Sequence, residues 1–413
     1  MIMLPSVGIF GTDSHAQIII SLFKAAGFPV TAVWGQTLEK AKSLANELKI
    51  SFYTTKIDEL LLHNEVDIVC VSGTPHQYAQ VCVKALSIGK HVFSSIPAGL
   101  TLKDANQMLE AAQYYPKLLS VLNHPLRFLA AFIEAKKLLS SGYCGDLIVC
   151  ECSIHTTSLV KQNYDWQCDG SMGGGMLQTY GSHIIDILAF LTDKRAIEVQ
   201  GTLETFTKQR DDMPMFRHIS SDDFCSFQLK YPNDVQACVT LNSHLPSGFL
   251  QELMLIGKKG FLKIVNCNLY GQTKGSSEVE SLYMEEYENG SLYDSFQDLV
   301  PGMYLFGLEQ LIEGVKMAFE SMQDSSVSAD RRNADHNLIS TAANFENGCH
   351  TRAVLDAIVK SHEKRAWVPV KQQNDASPPF WSVKESLLQE NNKSTHLSQD
   401  LHKKSPVTNK KMK

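Results

Sequence analysis

No apolar run in the 413 residues approaches the roughly 18 needed to cross a bilayer, so no membrane span is expected. Nor is there a strong excess of either charge. Thirty-eight basic residues against 44 acidic ones leave a net charge of −6, which gives no reason to expect a nucleic-acid partner. Among the ten cysteines no pair has CxxC spacing, and Cys70, Cys82 and Cys238 sit inside apolar runs, as free structural thiols do in a reducing compartment. Cys150 and Cys152 would share one face of a strand, but two thiols without further ligands make no metal site, and no metal is expected. The apolar N-terminus lacks a basic leader and is interrupted by Asp13 and His15. A cytoplasmic protein is the expectation, with secretion as the alternative if that N-terminus acts as a signal peptide.

With 44% apolar and 20% charged residues the chain has an ordinary globular composition, and its length calls for two domains. From residue 1 to 123, short apolar strands alternate with helical segments. Val7–Phe10, Val30–Trp34, Val66–Val71 and Lys90–Phe93 read as strands. The stretches Ala16–Ala26, Thr37–Leu48, Tyr78–Ile88 and Leu102–Tyr114 read as helices. Repeated βα units with buried strands predict a doubly wound parallel sheet, an α/β Rossmann domain.

Beyond roughly residue 146, within a second domain expected over residues 124–370, the pattern changes. Leu147–His155, Phe224–Leu229, Val235–Leu241, Glu252–Ile256 and Phe261–Val265 alternate as strands, punctuated by Pro232-Asn233-Asp234 and Gly257-Lys258-Lys259-Gly260. This predicts an α+β domain with a large, mostly antiparallel open sheet, followed by helices over Gly302–Ser321 and Ala342–His362. Residues 371–413 turn to Gln, Asn, Ser, Pro and Lys, with six lysines against one acid over 391–413, and are expected to be a disordered tail. Its lysines keep it solvated or meet an acidic partner; the sequence leaves both open.

One segment concentrates chemistry: Gly173-Gly174-Gly175 followed by Gly181, His183 and Asp186, running into the apolar Ile184–Leu191. On a helix His183 and Asp186 share a face, and the glycines are expected to leave room for a flat ligand beside them. A histidine at such a place can move a proton near neutral pH, although a core histidine is the plain alternative.

The first βα turn reads Gly8-Ile9-Phe10-Gly11-Thr12-Asp13-Ser14-His15-Ala16. Against the GxGxxG/A dinucleotide fingerprint, Gly11 supplies the turn and Ala16 the close helix packing, but Asp13 replaces the glycine that admits a pyrophosphate. At the end of the second strand, Gln36 and Thr37 stand where ribose is chosen. Neither is an acid or an arginine, so NAD versus NADP stays open, with hydrogen-bond donors leaning slightly to NADP.

Taken in order, these segments resemble the Gfo/Idh/MocA family, named for glucose-fructose oxidoreductase and inositol dehydrogenase, and within it the animal glucose-fructose oxidoreductase domain-containing proteins. Further segments carry the resemblance: Thr74-Pro75, Gly89-Lys90-His91-Val92, Tyr115-Pro116-Lys117-Leu118, Leu126-Arg127-Phe128-Leu129, Ser141–Gly145 and Tyr164-Asp165-Trp166. It covers residues 4–370 and not the tail. It implies NAD or NADP as cofactor, bound by Gly11, Thr12, Asp13, Ala16, Gln36, Thr37, Thr74, Pro75, Ser95, Pro97 and Arg127. A sugar-like substrate would meet Asn123, His124, Tyr164, Trp166 and His183, and the open sheet would pair two subunits into a homodimer.

His183 matches the family's catalytic histidine, while two positions depart from the pattern. The family's Glu-Lys-Pro triplet is Ser95-Ile96-Pro97 here, so Ile96 replaces the lysine that steadies the substrate alkoxide. Loss of one such preorganised group typically costs about two to three orders of magnitude in rate. Thr179 stands where the family often has an aspartate, leaving His183 without that acid. For Arg127 the choice is between a ligand anion and interdomain bracing; for Tyr164 and Trp166, between stacking on a sugar and ordinary burial. The expected function is an NAD(P)-binding oxidoreductase of sugars or polyols with weak or lost activity. The alternatives are a nucleotide-binding pseudoenzyme with a structural or sensing role, and a secreted matrix-associated protein, against which the scattered free cysteines argue.

Overall fold

Strands made only of apolar residues must be covered on both faces, and the chain supplies two of them side by side. In the computed structural model, which describes residues 3–160, 164–209, 218–285, 295–296, 299–323 and 339–371, β1 (Val7–Phe10) and β4 (Ile68–Val71) are buried at every position. They lie at the centre of a six-stranded parallel sheet with β2 (Val30–Trp34), β3 (Phe52–Thr54), β5 (His91–Ser94) and β6 (Ser120–Leu122), in the order β3-β2-β1-β4-β5-β6. The crossovers are α1 (Ser14–Ala25), α2 (Leu38–Glu47), α3 (Ile57–Leu61), α4 (Tyr78–Ser87) and α5 (Leu102–Tyr114). Alternate residues of β1 feed opposite layers: Ile9 joins Phe23 and Phe93 in one apolar cluster, and Phe10 joins Trp34 and Val69 in the other. The doubly wound expectation holds, while β3, α3 and β6, at three to five residues, are too short to show a period in the sequence.

After α6 (Ala130–Ser140) the chain builds the second sheet from β7 (Leu147–Thr156), β8 (Glu198–Glu204), β9 (Phe224–Lys230), β10 (Gln236–Asn242), β11 (Phe249–Gly257), β12 (Gly260–Val265), β13 (Asn268–Thr273), β14 (Glu280–Tyr283) and β15 (Val368–Pro369). Their order is β14-β13-β12-β11-β7-β10-β9-β8-β15, antiparallel except for the β7–β10 pair. Cys150, Cys152 and Ile154 of β7 point into a core shared with α7 (Ser182–Thr192), and all ten cysteines are free thiols, nine of them buried. On the opposite face Ile148 is 45% exposed and Leu250 36%.

Two late helices, α8 (Gly302–Gln323) and α9 (Phe345–Lys364), return to the parallel sheet. Leu305, Leu308, Leu311 and Ile312 of α8 complete the cluster around Phe23, and Phe345 and Cys349 of α9 complete the one around Phe10. Residues up to Lys371 therefore form one compact unit. The tail expected over 371–413 lies, from residue 372 on, outside the described residues. No helix among the described residues is long and apolar enough to cross a membrane, and none of their His, Cys, Asp or Glu side chains form a group of three or more able to hold a metal ion.

The return of α8 depends on one close crossing. A Cβ on Gly307 would lie 2.5 Å from the carbonyl oxygen of Pro125, in the single turn of Pro125–Phe128, whereas one on Gly302 would meet nothing within 4 Å. In an exposed helix Gly→Ala stabilises by about 1 kcal/mol. Gly307→Ala should instead destabilise by about 1–3 kcal/mol, since backbone on the other side cannot yield. Gly302→Ala should be neutral or stabilising. Urea unfolding of the two variants checks the pair of signs.

Candidate functional site

In an open parallel sheet the loops leave the strands at their C-terminal ends, and a crevice forms where the order reverses. Here β2 and β3 lie on one side of β1, and β4, β5 and β6 on the other, so the reversal falls between β1 and β4. Gly11 ends β1 at φ +140°, and a Cβ there would sit 3.0 Å from the Ser72 carbonyl oxygen at the end of β4. The bare backbone is thus required by position. Ala16 is wholly buried and brings α1 close to the sheet. The methyl of Thr12 would lie 2.7 Å from a Cβ on Gly35, which pins the first turn to the end of β2. Gln36 is exposed beyond that point, and the Thr37 hydroxyl caps α2 by accepting the Lys40 N–H at 3.3 Å. Asp13 caps α1, its carboxylate accepting the Ala16 N–H at 2.8 Å.

Thr74 and Pro75 follow β4, and the triplet Ser95-Ile96-Pro97 follows β5, with a cis peptide bond between Ile96 and Pro97. Asn123 and His124 follow β6, which lies beside β5, and the Asn123 N–H donates to the Ser94 carbonyl at 2.9 Å. Four strand ends thus bring the predicted cofactor residues, Arg127 apart, to one edge of the sheet.

The glycine run closes that edge rather than leaving it open. A Cβ on Gly173 would lie 2.9 Å from Leu100 and 3.0 Å from Pro75; on Gly174, 2.3 Å from the Gln167 carbonyl oxygen; on Gly175, 2.1 Å from an Asp222 carboxylate oxygen. The space expected for a flat ligand is filled by protein: the glycines let the second domain's backbone press on the Thr74-Pro75 turn. A π-helical turn, Leu177–Gly181, then leads into α7, and the other Asp222 oxygen accepts the Leu177 N–H at 2.8 Å. Burial pushes the Asp222 carboxyl up to about 7. Thr179 lies in this turn, four residues before His183.

The Asp186 carboxylate accepts from Arg127 Nε and Nη2, both at 2.7 Å, and Arg127 Nη1 donates to the Thr341 carbonyl at 3.2 Å. Arg127 is 5% exposed and Asp186 2%. The guanidinium is therefore a brace between the β6 exit, α7 and the segment before α9, and those bonds turn it away from the cofactor role named for it. Burial alone would raise the Asp186 carboxyl, but Arg127, helped by His124, holds it below its usual value.

His183 stands one turn before Asp186, on the side of His124 and Tyr304, with ring centroids 5.5 and 4.8 Å away. Burial, then the neighbouring His124 and His15, keep its pKa well below the ordinary imidazole value. Burial brings His124 down to about 4, against the opposing pull of Asp186, whose carboxylate lies 3.5 Å from His124 Nδ1. Both imidazoles are neutral at physiological pH. Among the described residues, His183 Nδ1, His124 Nδ1 and Asn123 Oδ1 are buried without a hydrogen-bond partner, so each has polar capacity that a ligand group could meet. Tyr164, whose hydroxyl donates to the His218 carbonyl at 3.4 Å, packs with Val160, Cys168 and Ile219. Trp166 precedes Gln167, whose backbone lies against Gly174.

Three residues at the site escape the sequence reading. Tyr304, at the start of α8, covers His183 and donates its hydroxyl to Gln251 Oε1 at 2.7 Å; only the return of α8 puts it there. His15 lies in the fingerprint turn and could have been noticed as a titratable group in a phosphate loop. Asp222 has no local signal at all.

Comparison with known proteins agrees with this fold. The oxidoreductase family with an NAD-binding Rossmann fold matches residues 6–123, and the GFO/IDH/MocA C-terminal domain matches residues 132–263. Glucose-fructose oxidoreductase domain-containing protein 1 of Xenopus tropicalis is 41% identical over 92% of this chain and 96% of its own length. The human domain-containing protein 2 is 40% identical over 95% of this chain and 100% of its own. An oxidoreductase domain protein from Kribbella flavida shares the fold with a TM-score of 0.74 at 19% identity, over 90% of this chain and 100% of that one. A levoglucosan dehydrogenase in complex with NADH and L-sorbose does so at 0.73 and 16%, over 89% and 99%. Two domain matches in chain order, and relatives alike over nearly their whole length, establish that this chain belongs to the Gfo/Idh/MocA family of oxidoreductases.

Proposed function

We propose that the chain binds a nicotinamide dinucleotide along the ends of β1, β2 and β4, and that His183 is the acid/base group of a sugar- or polyol-directed oxidoreductase site whose turnover is weak or lost. Ile96 carries this reading. It is half-buried and packs with the apolar cluster that holds Val69, Val71, Tyr78 and Leu122, one residue from Pro97. A developing alkoxide beside it would find neither a charge nor a donor from that side chain.

The crevice fits the cofactor in its backbone: Gly11 leaves no room for a side chain, and α1 begins where a phosphate gains from its N–H groups and dipole. A bound nicotinamide would supply the hydride chemistry. The chain's own residues do the rest: neutral His183 takes the hydroxyl proton, His124 and Asn123 offer unpaired polar atoms, and Tyr304 shields the histidine from water. The NADH and L-sorbose held by the levoglucosan dehydrogenase of the same fold support the ligand class. Gln36 and Thr37 favour NADP slightly. A second reading, a nucleotide-binding protein with a structural or sensing role, draws on the same Ile96 and on Thr179. The open sheet face with Ile148 and Leu250 exposed supports a homodimer through that sheet.

Either nicotinamide cofactor should raise the melting temperature, because a ligand selective for the native state must stabilise it. No shift with millimolar NADH or NADPH, in protein shown to be nucleotide-free, would refute the binding.

Sugar dehydrogenase activity of the wild type should be low or undetectable. Ile96→Lys should raise it by about tenfold or more, and His183→Ala in that background should abolish it. Because His183 stays neutral well below the ordinary imidazole value of 6.5, the acid limb of the Ile96→Lys pH profile should fall below pH 6.5. Turnover that survives loss of His183 would move the proton transfer elsewhere.

Light scattering at micromolar concentration should give twice the chain mass. A monomer mass would remove the dimer.

A further inference from the structure

The pyrophosphate end of the crevice already holds a carboxylate. Asp13 Oδ1 accepts the Ala16 N–H at 2.8 Å and the Ser72 hydroxyl at 3.3 Å. One oxygen thus ties the first turn of α1 to the end of β4, across the gap where the strand order reverses. In a doubly wound sheet the N–H groups at this helix start are the ones that hold a ligand phosphate.

We propose that Asp13 is an internal anion seated where the pyrophosphate would lie, and that it sets the charge of ligand this crevice accepts, so that a diphosphate enters only against its repulsion. The proposal rests on the nucleotide-binding reading above and goes further, by naming the residue that weakens it.

The backbone of Ser72 is held beside this contact. Its N–H is bonded to the Phe10 carbonyl at 2.8 Å, and its Cβ would lie 3.3 Å from a Cβ on Gly11. The charge of Asp13 also bears on two buried groups, Cys70 in β4 and Tyr78 at the start of α4. Burial first, and then Asp13, push the Tyr78 phenol well up; burial, Cys82 and Asp13 do the same to the Cys70 thiol. A plain helix cap explains the Ala16 bond but not the need for a charge. Asparagine or serine would cap α1 about as well, since all three residue types accept the same N–H. What aspartate adds at this position is a full negative charge, facing the strand end across the gap.

The test uses the full chain and its Asp13→Asn and Asp13→Gly variants. Asparagine keeps the cap and the shape while removing the charge, and glycine is nearly as good at a helix start and adds room. Dissociation constants for NADH, ADP and adenosine are measured by calorimetry, with melting curves showing that each variant is folded. Both variants should bind NADH and ADP about ten- to a hundredfold more tightly than the wild type, and adenosine, which has no phosphate, about equally. The gain from Asp13→Asn should shrink in high salt, as screening requires. Unchanged or weaker NADH binding in both folded variants overturns the proposal, as does an equal gain for adenosine. If the wild type binds NADH and the variants gain nothing, the assignment of Asp13 falls and nucleotide binding stands. If neither wild type nor variants bind NADH or ADP at millimolar concentration, both fall together.

Discussion

Two opposite charges buried together hold the junction of this molecule. Arg127 leaves the parallel sheet just after β6, Asp186 sits one turn beyond His183 on α7, and the two meet through paired 2.7 Å contacts with almost no exposure. Taking either charge out of water is costly, and only a bidentate geometry with its remaining donors satisfied offsets that cost. Here the third nitrogen, Nη1, donates to the Thr341 carbonyl, and the Phe190 ring lies 5.1 Å from the guanidinium. Loss of one partner of such a pair typically costs about 3–5 kcal/mol, so the pair specifies one arrangement of α7 against the sheet. The position of His183 follows from it.

The glycine run makes the same junction from the other side. Gly173 lets the second domain touch Pro75 and Leu100, and Gly175 lets it touch Asp222, whose carboxylate starts the π-helical turn that leads into α7. A histidine between these two anchors has little freedom. Burial and its histidine neighbours hold its pKa well below the ordinary imidazole value, and the side chain of Ile96, after β5, is apolar. On the proposed reading His183 acts as a base beside the buried polar atoms of His124 and Asn123, and the Ile96 side chain offers no cation to answer the negative charge that its action would create.

Much of this is legible along the chain because it is local. Short apolar runs mark β1 and β2, which are covered on both faces, and a period of about 3.6 residues marks α1, α2, α4 and α5, each of which buries one face. The first βα turn and the Ser95-Ile96-Pro97 triplet are contiguous, so the aspartate in the one and the isoleucine in the other can be read from a few adjacent residues. The parallel sheet and the antiparallel one follow from the change in pattern near residue 146.

What only the tertiary structure decided involves partners far apart in sequence. Arg127 is 59 residues from Asp186 and 214 from Thr341, and no spacing rule links them, so bracing could not be told from ligand binding beforehand. Three adjacent glycines have the same backbone freedom whether a ligand or a protein chain approaches them; Pro75, Gln167 and Asp222 show that it is a protein chain. The cover of Tyr304 over His183 exists only because α8 returns to the first sheet. The sequence alone determined which groups carry chemistry, because that lies in the side chains themselves. The fold determined which of them meet, because contact depends on the path of the whole chain.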